Sequence, residues 1–93
     1  MGVGDGTEKA VVIKEERVQR KVILFDDDYN EMDYVVTALL HTVSDLSQQE
    51  AQRIMLTAHL KGSAIVVVCP KEIAEYYQGR LLNYGLTATI EPD

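Results

Sequence analysis

Two short apolar runs, with two helix-like stretches between them, restrict the folds open to this chain. The first run, residues 22–25, is rich in β-formers and stops at three aspartates, and the second spans residues 64–69. Such runs, about four to eight residues long and bounded by turn-forming residues, are typical of buried strands. The alternation of Leu86, Ala88 and Ile90 predicts a third strand near the end.

Three stretches place apolar residues at helical spacing. The first follows Asn30, which we expect to cap the helix, and the second opens with the capping-box sequence of residues 47–50 and ends at Gly62. Pro70 suits the first turn of the third, which Gly85 closes. The apolar stripe of the first helix consists of Met32, Val35, Val36, Leu39, Leu40 and Val43.

The element order is therefore β-α-α-β-α-β. A length of 93 residues suits a single domain. We expect an α+β fold in which a three-stranded, mainly antiparallel sheet packs against helices on one face. Residues 1–17 contain three of the six glycines followed by mixed charges, so we expect a flexible N-terminal arm before a core domain of residues 18–93.

Charge and cysteine content exclude several classes of function. The chain has 15 acidic and 9 basic residues and a net charge of −6, which disfavours a nucleic-acid partner. Its single cysteine, Cys69, allows no internal disulfide and no thiolate metal site.

The run 64–69 is too short to span a bilayer, and the first residues lack an apolar signal core. We expect a cytoplasmic protein without a membrane partner, monomeric when free.

An acidic cluster follows the first strand directly. One or two acids before a helix are explained by the positive end of the helix dipole. Three in a row, Asp26, Asp27 and Asp28, repel one another unless a cation compensates. The residues themselves leave open whether that cation is an ammonium group or a metal ion.

His59 lies four residues after Met55, at the border of the second helix's apolar stripe. A lone histidine there is most often an ordinary border residue. Methionines at these positions suit a core, and they also suit a binding pocket that adapts to several side chains. No nucleophile stands beside a base and no Gly-rich phosphate loop is present, so the sequence does not predict an enzyme.

The same residues resemble the ClpS family of adaptors. Family members carry a strand ending in Asn-Asp-Asp-Tyr-Thr-Pro-Met, and here the stretch Phe25-Asp26-Asp27-Asp28-Tyr29-Asn30-Glu31-Met32 is similar to it. A second family block, Met-Leu-x-x-His followed by a loop with Gly, is similar to residues 55–62. The resemblance extends from about Lys21 to Glu91.

This resemblance implies an adaptor that binds the free, bulky hydrophobic N-terminal residue of N-degron substrates, such as Leu, Phe or Tyr, and delivers them to a Clp-family AAA+ unfoldase. It implies no catalytic residue, cofactor or metal. By resemblance, the substrate α-amino group is bound by Asp26, Asp27 and His59, and Asn30 contacts the peptide backbone. The implied hydrophobic pocket consists of Met32, Val35, Met55, Ala58 and Leu86.

The sequence departs from the family pattern at three positions. Asp26 replaces the usual Asn, Ala58 replaces the usual Val, and Tyr77 stands where Lys is common. The resemblance places Glu72, Glu75 and Tyr77 on the helix that contacts a ClpA- or ClpC-like unfoldase.

Two other functions compete with this interpretation. The cluster of residues 26–28 could hold magnesium in a phosphoryl-transfer or receiver-like domain, which requires a parallel, doubly wound sheet. A scaffold domain that binds no peptide could share the same element order.

Overall fold

The computed structural model describes residues 18–93. Its elements are β1 (Gln19–Phe25), α1 (Met32–Thr42), α2 (Gln48–Lys61), β2 (Ser63–Pro70), α3 (Lys71–Asn83) and β3 (Thr87–Pro92). This is the predicted α+β order, β-α-α-β-α-β. The arm predicted for residues 1–17 lies outside the described residues.

The sheet has the order β2-β1-β3, and β1 is antiparallel to both neighbours. The doubly wound parallel sheet required by a receiver-like domain is therefore not the fold of this chain. The register between β1 and β2 shifts after Val22, which faces Val67, while Ile23 faces Ile65. The shift leaves Val66 as the extra residue of a β-bulge, which bends the strand locally.

One face of the sheet carries the core. Val22 and Leu24 on β1 are 0% and 2% exposed and belong to the main cluster, whereas Ile23 points away from it. Alternation along a strand separates the two faces in this way.

Small residues let the helices approach the sheet closely. The alanines of the core cluster are Ala38, Ala51, Ala58, Ala64, Ala74 and Ala88.

The ends of α2 follow the prediction. The Ser47 hydroxyl accepts from the Glu50 N–H at 3.1 Å, and the Glu50 carboxylate accepts from the Ser47 N–H at 2.8 Å. This reciprocal pair is a capping box. At the other end Gly62 has φ of 98°, a left-handed conformation that glycine adopts without steric cost, and it turns the chain into β2.

The expected cap of α1 is wrong. Glu31 is the N-cap residue of α1, and no side chain bonds the free N–H groups of its first turn. The Asn30 side chain instead donates to Asp27 and to the Gly85 carbonyl. One local and one long-range hydrogen bond therefore hold the amide that we assigned to the helix end. Pro70 is likewise the last residue of β2 and the N-cap of α3, one position before the predicted first turn.

Candidate functional site

A cavity of about 270 Å³ opens where β1 ends. Three segments form it: the end of β1 with its acidic loop, the first turn of α1, and the last turns of α2. Its lining residues are Leu24, Phe25, Asp26, Asp27, Asp28, Asn30, Glu31, Met32, Val35, Met55, Ala58 and His59. The mouth of the cavity, formed by Asp26, Asp27 and His59, is polar. Its floor, formed by Val35, Met55 and Ala58, is apolar.

The mouth joins β1 to α2 through Asp26 and His59. Nδ1 of His59 lies 3.5 Å from Oδ1 of Asp26, and the two side chains are 48% and 34% exposed. The Asp26 N–H also donates to the Gly62 carbonyl at 3.0 Å, which holds the end of β1 against the end of α2. A neutral His59 with its proton on Nδ1 keeps Nε2 as an acceptor. The mouth can therefore offer both carboxylate and imidazole acceptors to one cationic donor.

Asp27 organises the loop beneath the mouth. Its Oδ1 accepts from the backbone N–H groups of Tyr29 and Asn30 at 3.0 and 2.7 Å, and its Oδ2 accepts from Asn30 Nδ2 at 3.3 Å. Partial burial raises the pKa of Asp27, but the bonds from Asn30 and Tyr29 outweigh it and hold the pKa below its ordinary value. A carboxylate accepts about four hydrogen bonds. One acceptor site of Asp27 is left for a ligand.

Two hydrogen bonds connect the acidic loop and the first turn of α1 to the turn after α3. Asn30 Nδ2 donates to the Gly85 carbonyl at 3.1 Å, and the Tyr34 hydroxyl donates to the Tyr84 carbonyl at 2.5 Å. Gly85 has φ of 84°, and the Leu86 N–H beyond it bonds back to Leu81. The turn is thus fixed to α3, and it supports the cavity wall from outside.

The floor combines buried and accessible apolar groups. Met55 and Ala58, on successive turns of α2, are 9% and 3% exposed. Val35 is half-buried and packs against the core, while Met32, the first residue of α1, is 43% exposed. Met32 therefore lies at the edge of the cavity, and the small side chain of Ala58 leaves space at its bottom.

The structure brings eight of the predicted ligand-site residues into one cavity and leaves Leu86 out. The eight are Asp26, Asp27, Asn30, Met32, Val35, Met55, Ala58 and His59. Leu86 is 3% exposed within the core cluster, directly after Gly85. Its alternation with Ala88 predicted a strand position, but β3 begins one residue later, at Thr87, and the alternation does not distinguish a cavity wall from a core.

The residues assigned to unfoldase contact lie on α3, away from the cavity. Glu72 and Glu75 are exposed, whereas Tyr77 is half-buried against the core. Burial raises the pKa of the Tyr77 hydroxyl. Its neighbour Tyr76 is 58% exposed, so α3 presents Tyr76 more fully to a partner than Tyr77.

Sequence reasoning left four lining residues and the contact of Tyr34 with Tyr84 out of the predicted ligand site. Asp28, which we counted in the acidic cluster, and Glu31 add two carboxylates, and Leu24 and Phe25 belong to the strand that we assigned to the core. The resemblance covers this stretch and could have indicated them. The pairing of Tyr34 with Tyr84 spans 50 residues and has no local signal.

A family model described as the ATP-dependent Clp protease adaptor protein ClpS matches residues 15–89. The chain belongs to the ClpS family. A ClpS adapter protein of Synechococcus elongatus is 45% identical over 73 residues, covering 78% of this chain and 77% of that one. The ClpS of Prochlorococcus marinus is 40% identical over 85 residues, covering 91% and 81%.

A solved ClpS structure has the same fold. Agrobacterium tumefaciens ClpS2, in a structure bound to L-phenylalaninamide, superposes with a TM-score of 0.76 at 35% identity, covering 82% of this chain and 98% of that one. ClpS proteins are protease adaptors, so this chain is an adaptor and not an enzyme. Relatives include a chloroplastic ClpS of Chlamydomonas reinhardtii, 48% identical over 73 residues. No helix in residues 18–93 is long and apolar enough to cross a membrane.

Proposed function

We propose that this ClpS protein binds the free N-terminal residue of substrate proteins in the cavity at the end of β1 and delivers them to a ClpA- or ClpC-like unfoldase in the cytoplasm. The observation that carries the proposal is one cavity with an acidic and imidazole mouth over an apolar floor. The L-phenylalaninamide complex of the Agrobacterium relative supports it, because that ligand is an amino-acid amide with a free α-amino group and a bulky side chain.

The mouth matches the chemistry of an α-ammonium group. That group has three donors and a positive charge, and the mouth offers Asp26, the free acceptor site of Asp27, and His59. Hydrogen bonds with a charged partner contribute about 1.5–3 kcal/mol each. The floor matches the side chain, since burying a Leu- or Phe-sized group contributes about 1.5–3 kcal/mol.

These contributions are opposed by an association cost of at least ~4 kcal/mol. The balance favours an affinity on the order of micromolar or weaker. Such an affinity suits an adaptor that has to release its cargo to an unfoldase. The acidic pair Glu72 and Glu75 on α3 is exposed and is our proposed surface for that partner.

The test uses fluorescence anisotropy with two peptides that begin with Leu and differ only in acetylation of the first nitrogen. Acetylation removes the charge and two of the three donors. We expect the free peptide to bind and the acetylated one to lose at least tenfold in affinity, the value of a single charge-assisted bond of about 1.5 kcal/mol. Equal binding of the two would refute the proposal.

A further inference from the structure

A groove of about 470 Å³ runs between α1 and α2, beside the cavity. The two helices are joined by residues 43–47 alone, so they form an antiparallel hairpin. The groove begins at the cavity, since Met55 lines both, and Asp33 of the groove directly follows Met32 of the cavity rim. Its lining residues extend from the first turn of α1 to the last: Asp33, Val36, Thr37 and Leu40 on α1, with Gln48, Gln52, Met55 and Leu56 on α2.

The floor of the groove is apolar. Val36 and Met55 are buried, Leu40 is half-buried, and Leu56 is 44% exposed. An apolar side chain that lies on this floor removes apolar surface from water on both sides of the contact, which is favourable. The groove can therefore hold a side chain such as that of Leu or Val.

The edges of the groove are polar and almost uncharged. Thr37, Gln48 and Gln52 are exposed, and the two glutamines lie one turn apart on the same face of α2. Each glutamine amide has an oxygen that accepts and an NH₂ that donates, the two functions that an extended backbone requires. Asp33, at the cavity end, is the one charged residue among those that line the groove. The groove therefore suits a neutral, extended peptide segment and not a strongly charged partner.

A substrate that occupies the cavity brings such a segment to this place. An α-helix rises about 1.5 Å per residue, so the part of α2 from Gln48 to Leu56 is about 12 Å long. An extended chain advances about 3.3 Å per residue and covers that length with roughly four residues. When the first residue fills the cavity and the second crosses the rim at Met32, these four are the third to the sixth residues of the substrate.

We propose that the groove between α1 and α2 is a second substrate subsite, which binds residues three to six of the substrate in extended form and selects for apolar side chains there. The continuity of the groove with the cavity through Met55 carries this assignment. The inference rests on the proposed function, and it adds a preference within the following segment to the requirement on the first residue.

The test compares three ligands by competition in fluorescence anisotropy. A Leu-Ala dipeptide amide reports on the cavity alone, and two octapeptides begin with Leu-Ala and carry either leucine or serine at residues four and five. Adjacent side chains of an extended chain point to opposite sides, so one of the two faces the groove. Full burial of a Leu side chain corresponds to about a 10- to 150-fold gain, and an open groove covers roughly half of it. We therefore expect the leucine octapeptide to bind about 3- to 10-fold more tightly than the serine octapeptide. Equal binding of the two overturns the proposal.

Two variants assign the effect to the groove. In Leu56→Gln the ratio of leucine to serine octapeptide affinity should fall towards one, while the dipeptide amide binds as before. Leu60→Gln is the matched control, because Leu60 is on the same helix, 78% exposed, and outside both the groove and the cavity. It should keep the wild-type ratio. An unchanged ratio in Leu56→Gln contradicts the role of the groove. If the octapeptides bound alike and Leu56→Gln lowered substrate delivery to a Clp protease, the occupant of the groove would be the unfoldase, and the proposal would be wrong.

A measurement on the wild-type complex covers the case in which Leu56→Gln does not fold. We expect nuclear Overhauser contacts between the leucine methyl groups of the octapeptide and those of Leu40 and Leu56, and their absence overturns the proposal. Failure of the proposed function looks different. There the acetylated and free peptides bind alike, whereas here the dipeptide amide still binds and only the discrimination at residues four and five is lost.

Discussion

Nδ1 of His59, near the end of α2, lies 3.5 Å from Oδ1 of Asp26, which follows the last residue of β1. This pair joins two elements that approach each other at the mouth of the cavity. It is exposed enough to meet a ligand, and its two members carry acceptors on either side of the opening. The first prediction follows from its position.

His59→Ala should weaken binding of a Leu peptide and leave the fold intact. Loss of one bond to a charged group, about 1.5–3 kcal/mol, corresponds to roughly a 10- to 150-fold loss of affinity. The His59 side chain is 48% exposed, so its removal opens no core cavity. Peptide titration and thermal melting on the same sample measure both effects. His41→Ala, in the last turn of α1 and outside the cavity, is the control and should bind normally.

Binding should weaken as the pH rises above the pKa of the free peptide's α-amino group, about 7.7–8.0. The carboxylates of the mouth favour the charged amine, so the pKa of this amine should be higher in the complex. Affinity then falls by up to about tenfold per pH unit above the free value. Titrations between pH 7.5 and pH 9.5 check this. An affinity that rises with pH across that range would contradict binding of the ammonium form.

Met32→Ala should admit first residues that branch at Cβ. Met32 is 43% exposed at the start of α1, and there we expect it to meet the part of the ligand side chain nearest the backbone. Val and Ile are wide and stiff at that level, while Leu, Phe and Tyr branch deeper, where Ala58 leaves space. Anisotropy with peptides that differ only in residue one measures the ranking. Leu60→Ala, 78% exposed and outside the cavity, should leave it unchanged. If the wild-type protein bound an Ile peptide as tightly as a Leu peptide, Met32 would not be the residue that excludes Cβ-branched first residues.

Asn30→Ala should raise the pKa of Asp27 part of the way to its ordinary value. Partial burial raises this pKa, and bonds from the Asn30 backbone, the Asn30 side chain and the Tyr29 backbone lower it further than burial raises it. The substitution removes only the side-chain bond. Because the folded pKa is depressed, the stability that ionised Asp27 contributes is full above its unfolded pKa of about 3.9 and is lost as the pH falls through the folded value. A carboxyl ¹³C titration of both proteins measures the midpoints, and identical midpoints would contradict the bond.

Tyr34→Phe should destabilise the protein without emptying space in its core. The hydroxyl bonds the Tyr84 carbonyl at 2.5 Å, and a hydrogen bond of this kind contributes about 0.5–1.5 kcal/mol. For a domain of this size that corresponds to roughly 2–12 °C in Tm. Tyr29→Phe is the matched control, because Tyr29 is 94% exposed and its Tm should not change. Equal melting of all three proteins would show that the Tyr34 bond adds nothing.

Local patterns predicted the elements well. The capping box at Ser47 and the glycine stops at Gly62 and Gly85 are short-range signals, and each marks a helix end in the structure. The antiparallel sheet followed from the element order. Each of these features depends on residues a few positions apart, which periodicity and turn chemistry report directly.

The side-chain contacts that shape the site were less accessible to sequence reasoning. Asn30 precedes a helix and has the chemistry of a cap, yet its amide is bound by Asp27 and by Gly85, the latter 55 positions away. Leu86 has the same apolar character as Met55, but only the fold shows that Met55 lines the cavity and Leu86 the core. Periodicity separates the inside of an element from its outside and cannot separate a pocket from the interior.

The central position of β1 has a consequence for folding during synthesis. Its residues pair with β2 and with β3, and in the second pairing Arg20 faces Pro92 and Phe25 faces Thr87. All strand pairing in the described sheet is therefore non-local, which slows folding relative to helical domains of similar size. Until residues 87–92 leave the ribosome, one edge of β1 has no partner and Val22 and Leu24 lack part of their cover. The nascent chain exposes an unpaired edge of an apolar strand until β3 docks, and such a state is prone to aggregation.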